Sequence, residues 1–129
     1  MAVHALTPYV HVTDVARSVA FYRRLGLDVV NRYEAGGRAV WALVATPAGP
    51  SEGPARLMLA LASGPVDAAS QAVLLYCWTA DVAGLRDELV AAGVAVGDIA
   101  HPHHMPAGEI RLEDPDGYVV LVGQPAPPR

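Results

Sequence analysis

Val10-His11-Val12-Thr13-Asp14-Val15-Ala16-Arg17-Ser18-Val19-Ala20-Phe21-Tyr22, running on to Leu25-Gly26-Leu27, is the stretch whose reading decides the fold. Residues 7–12 alternate, with Thr7, Tyr9 and His11 on one side and Pro8, Val10 and Val12 on the other. That is the period of a half-buried strand. Asp14 suits an N-cap, because its carboxylate can accept the free N–H groups of a first helical turn. Val15, Val19, Tyr22 and Leu25 then fall on one helical stripe. Gly26 ends the helix where a positive φ costs least. Arg17, Arg23 and Arg24 occupy the outer face, and the last two also complement the negative end of the helix.

The signature returns 67 residues later. Asp14-Val15-Ala16 reappears as Asp81-Val82-Ala83, Gly26 as Gly93 and Val29 as Val96, and eleven residues separate Asp from Gly in both places. One module used twice is therefore expected, with a ligand groove where the copies meet. The length of 129 residues suits a single domain. Its expected parts are a first module over about 7–62, a linker over 63–71 and a second module over about 72–123.

After the first helix, strands are expected over 27–33, 38–46 and 56–61. Gly36-Gly37 turns the first pair, Trp41 lies near the centre of the second strand, and a Pro/Gly-rich loop spans 47–54. The second half predicts a strand over 72–79 and a helix capped by Asp81 with Val82, Leu85 and Leu89 buried. A strand starts over 95–99, an irregular stretch covers 101–108, and strands follow over 109–113 and 118–122. Asp114-Pro115-Asp116-Gly117 joins the last two, proline setting φ and glycine accepting a positive one. Residues 125–129 read as a frayed tail. Each half is βαβββ, so the fold class is α+β.

Composition excludes several functions. Hydrophobic residues make up 53% of the chain, which is incompatible with disorder. Gly, Pro or charge breaks every apolar run well short of the roughly 20 residues that span a bilayer. The opening residues lack a basic segment followed by an apolar one, so no signal peptide and a cytoplasmic address are expected. Cys77 is the single cysteine, which leaves no internal disulfide and no Cys-rich zinc site. The net charge of −4, with the nine basic residues all Arg and none clustered, argues against nucleic acid.

The motif from Val10 to Leu27, together with Glu113-Asp114-Pro115-Asp116-Gly117-Tyr118, resembles the opening and closing turn of the vicinal oxygen chelate superfamily. This family includes glyoxalase I, extradiol dioxygenases, fosfomycin-modifying enzymes and bleomycin resistance proteins. The resemblance implies paired βαβββ modules forming a curved mixed sheet around a ligand cup, with helices outside. It does not by itself choose a chemistry.

The resemblance also implies where a metal would sit. The family's metal enzymes take His, Glu or Gln from four strands, and those positions fall here at Thr7, near Met58, at Leu74 and at Leu121. None of these replaces an imidazole or carboxylate. No cofactor and no metal are therefore expected. His101-Pro102-His103-His104 is the remaining concentration of imidazoles; it reads as a polar rim loop, a ligand contact through His103 and His104, or a displaced metal or acid–base site.

Ligand binding is expected from an aromatic cup. Tyr9, Trp41, Tyr76 and Trp78 can stack on a flat ligand while their O–H and N–H groups fix its polar edge. Tyr76-x-Trp78 resembles the Trp-x-Trp of bleomycin resistance proteins. For Trp41 the repeat does not fix the face, and a core position is the alternative. His11 and Arg111 are further candidate contacts, with Glu109 on the same face as Arg111. Met58, Leu74 and Leu121 supply an apolar floor. Cys77 reads as a core thiol. The function implied is metal-free binding of a small molecule, as in antibiotic sequestration and self-resistance with a bleomycin-, mitomycin- or enediyne-type ligand, by a homodimer. The alternative is a glyoxalase-like lyase or isomerase, or a dioxygenase, with a displaced metal or a His acid–base site.

Overall fold

The computed structural model describes residues 2–47 and 54–126. Most of the expected 47–54 loop and the end of the expected tail therefore lie outside the described residues. The chain divides into two compact units, Met1–Val66 and Asp67–Arg129. Each is built on a helix that an aspartate begins and a glycine ends. Helix α1 spans Val15–Arg23, and Asp14 Oδ1 accepts the Arg17 N–H at 3.1 Å. Helix α2 spans Val82–Ala91, and Asp81 Oδ1 accepts the Gly84 N–H at 2.9 Å. At the exits, Gly26 has φ 91° and Gly93 has φ 80°. Leu27 N–H closes on the Tyr22 carbonyl at 3.0 Å, and Val94 N–H on the Leu89 carbonyl at 2.9 Å. These are equivalent atoms at the 67-residue offset, so the sequence repeat is also a repeat of hydrogen bonding.

Unit one carries β1 (Tyr9–Val12), β2 (Asp28–Ala35), β3 (Arg38–Ala45) and β4 (Arg56–Leu61) in one sheet of order β1-β4-β3-β2. The β1–β4 pair is parallel and the others antiparallel. Gly36 (φ 60°) and Gly37 (φ 75°) make the two-residue turn whose twist matches a hairpin. Val12, Ala42, Val44, Leu57 and Leu59 are buried on the side that packs against α1, beneath Val15, Ser18 and Tyr22. The helical stripe differs from expectation in its middle. Ser18 is fully buried, and Val19 only half-buried.

Unit two carries a short 3₁₀ helix (Ala68–Ser70), within the stretch expected to be a linker, then β5 (Leu75–Trp78), β6 (Glu109–Glu113) and β7 (Val119–Gly123). The sheet order is β5-β7-β6, with β5–β7 parallel and β6–β7 antiparallel. Val82, Leu89, Ile110, Leu112, Val120 and Val122 form its core. The expected strand over 95–99 is not continuous: it is reduced to isolated bridges, Val96 to Leu112 and Ala100 to Glu109. Between them, Arg86 Nε takes the Gly97 carbonyl at 2.9 Å, diverting an acceptor toward α2. Unit two is thus βαββ with a loosely bridged fourth segment.

The 114–117 turn forms as expected. Asp114 Oδ1 accepts the N–H groups of Asp116 and Tyr118, both at 2.9 Å, and Gly117 has φ 93°. Asp114 is buried by this arrangement. No helix among the described residues is long and apolar enough to cross a membrane.

Candidate functional site

Strand register sorts the candidate residues onto faces. In unit one, His11 pairs with Ala60, Ala60 with Trp41, and Trp41 with Tyr33. The next row runs Tyr9, Met58, Leu43 and Asn31. Paired residues project to the same side of a sheet. Tyr9, His11, Trp41 and Met58 therefore share the face opposite α1. Tyr9 and His11 meet edge to face at 5.5 Å between ring centroids, and Tyr33 and Trp41 lie 5.5 Å apart with planes tilted by 39°. Register thus gives Trp41 the face that the repeat left open. Tyr33 was not singled out in the sequence, because its contribution depends on a non-local pairing.

In unit two, Tyr76 pairs with Leu121 and Leu121 with Arg111; Trp78 pairs with Gly123 and Gly123 with Glu109. All project away from α2. Leu75, Cys77, Ile110, Leu112, Val120 and Val122 alternate with them on the helix side. Burial raises the Cys77 thiol above its ordinary value, which suits a core residue more than a nucleophile. Tyr76 and Trp78 lie 4.9 Å apart between centroids, and Trp78 is 63% exposed.

Glu109 organises this face. Its side chain is 13% exposed, and Oε2 accepts both the Tyr76 hydroxyl at 2.5 Å and His104 Nε2 at 3.1 Å. Partial burial, and then donation to Glu109, push the Tyr76 hydroxyl up to about 12. Gly123 makes room for the cluster. A Cβ there would lie 2.5 Å from the Tyr76 hydroxyl and 3.1 Å from the Met105 sulfur. The sequence grouped Glu109 with Arg111 by alternation but did not reveal its bond to Tyr76, 33 residues away in the chain.

The remaining candidates are less joined. Arg111 is exposed and pairs with Glu113 at 3.3 Å. Leu74 precedes β5 and is 52% exposed. His103 is exposed, and His101 Nδ1 lies 2.9 Å from the Pro106 carbonyl. Of the three loop imidazoles, His104 alone reaches Glu109. A groove of about 520 Å³ lies elsewhere on unit two, lined by Ala95–Gly97 and Arg111–Asp114, and does not include Tyr76 or Trp78.

Thr7, Met58, Leu74 and Leu121 offer one hydroxyl, one thioether and two alkyl groups. That donor set does not fit a divalent ion. Among the described residues, no three His, Cys, Asp or Glu side chains come together as a ligand set.

Comparison with known proteins follows the same lines. The model of the Glyoxalase/Bleomycin resistance protein/Dioxygenase superfamily matches residues 3–122. The fold is similar to that of a bleomycin-binding protein complexed with bleomycin, at 17% identity and TM-score 0.68, covering 96% of this chain and 100% of that one. It is similar to TnmS3, an antibiotic binding protein from Streptomyces sp. CB03234, at 21% identity and TM-score 0.71, covering 98% and 100%. It is also similar to the trypanothione-dependent glyoxalase I of Leishmania major, at 21% identity and TM-score 0.66, covering 95% and 87%. A comparison with curated proteins finds no match.

Proposed function

Because this chain belongs to the Glyoxalase/Bleomycin resistance protein/Dioxygenase superfamily, we propose that it binds a flat natural product without a metal and sequesters it, as an antibiotic-resistance protein does. The observation that carries the reading is the Tyr76–Trp78 pair, Tyr76 half-buried and Trp78 exposed, on a sheet face whose other side carries the core residues Ile110, Leu112, Val120 and Val122. Stacking supplies affinity, and the hydroxyl and carboxylate beside the rings fix orientation. Tyr9, His11, Trp41 and Met58 contribute a second aromatic and apolar surface; Leu74, Leu121, Arg111, His103 and His104 contribute flanking contacts. The bleomycin-binding and antibiotic-binding neighbours support an antibiotic as ligand, and the types proposed are bleomycin, mitomycin and enediyne. The protein acts in the cytoplasm as a homodimer. Titration with bleomycin, a mitomycin-like quinone and an enediyne is expected to quench Trp emission at micromolar concentrations and raise the melting temperature. No quenching and no thermal shift with any of the three overturns the reading.

One observation favours a second reading. His104, held by the mostly buried Glu109, is arranged as an oriented general base is, and a glyoxalase I is among the structural neighbours. Stoichiometric metal in the purified protein, with turnover lost on chelation, decides for an enzyme.

A further inference from the structure

Resting on the small-molecule reading, we infer that the ligand presents a planar cationic group, such as an amidinium or protonated ring nitrogen, to Glu109 beside the Tyr76–Trp78 rings.

The inference starts from an imbalance of charge. Glu109 is a carboxylate with only 13% of its side chain exposed. Its partners are a neutral phenol and an imidazole that is charged only when protonated. Arg111, two residues along the same strand face, pairs instead with Glu113. Among the described residues, therefore, no permanent cation compensates Glu109. A largely desolvated anion without a counter-charge is costly, and a cation brought to it recovers that cost. Both of these bonds fall on Oε2, so Oε1 accepts none from a described residue and remains available to a donor.

Geometry selects the shape of the cation. Glu109 and Trp78 flank Gly123 in one register row, and the Tyr76 hydroxyl and Met105 take the place of its absent side chain, which keeps the carboxylate and both rings on one face. The exposed Trp78 ring lies 4.9 Å from that of Tyr76, whose hydroxyl Glu109 accepts, so a π face and the carboxylate share one side of the sheet. A flat delocalised cation can rest on that face and donate to Oε1 at once.

The test is an NMR titration of the full chain with benzamidine and its neutral isostere benzamide, followed at the Trp78 indole N–H. Benzamidine is expected to bind about tenfold more tightly, and Glu109→Gln to remove the difference. Tyr76→Phe strips one donor from Glu109 but keeps the charge. It is expected to widen the preference for benzamidine over benzamide, and it decides the matter if Glu109→Gln fails to fold. Equal affinity for the two probes, no shift with either, or loss of the preference in Tyr76→Phe each overturns the proposal. Parallel titration with bleomycin reports on the sequestration reading independently.

Discussion

Tyr76 shows how one side chain couples packing to pH. Its pKa is raised to about 12, so the folded state favours the neutral phenol. That contribution is complete below the ordinary tyrosine value of about 10 and is lost as pH rises through the folded value. Alkaline titration followed by phenolate absorbance is expected to show late-titrating intensity that Tyr76→Phe removes. Tyr118 is also raised, by burial and then by Asp114 and Asp116, so Tyr118→Phe is the control. Ser18 is the opposite case. Its Oγ is buried with no hydrogen-bond partner among the described residues, and an unmade bond of this kind is a net cost. Ser18→Ala is expected to stabilise the protein by about 1 kcal/mol in urea unfolding; a loss of stability would show that the hydroxyl has a partner in solution.

At the scale of elements, the two helices are twins in their ends and differ in their surroundings. Asp14 and Asp81 each satisfy an N–H of the first turn. Asp14→Ala and Asp81→Ala are each expected to cost about 1 kcal/mol, measured as a shift in denaturation midpoint. The α2 start has a second fastening, since Gln124 Oε1 accepts the Val82 N–H at 2.9 Å. The two costs need not be identical, but both should destabilise. The bridged segment before β6 shows the limit of propensity. Ala95, Val96 and Ile99 read as a strand, yet Gly97 and the carbonyl claimed by Arg86 interrupt the ladder. A tertiary hydrogen bond overrode the local pattern.

At the scale of the molecule, the same plan serves both units: a buried face under the helix and an aromatic-bearing face away from it. Substitutions on the two faces should therefore separate stability from binding. Trp78→Ala removes a ring that is 63% exposed. It is expected to lower affinity for bleomycin by about tenfold while changing the melting temperature little. A large fall in melting temperature with unaltered affinity would assign Trp78 to the core.

Caps, turn glycines, helical stripes and the alternation of Tyr9/His11 and Tyr76/Trp78 were legible in the residues, because each depends on neighbours within one or two turns of chain. The family was legible for the same reason, through two short motifs at a fixed spacing. The face of Trp41, the partnership of Tyr33 with it, and the convergence of Tyr76 and His104 on Glu109 were not. They depend on which strand pairs with which and in what register, and that is fixed only when distant apolar rows are buried together.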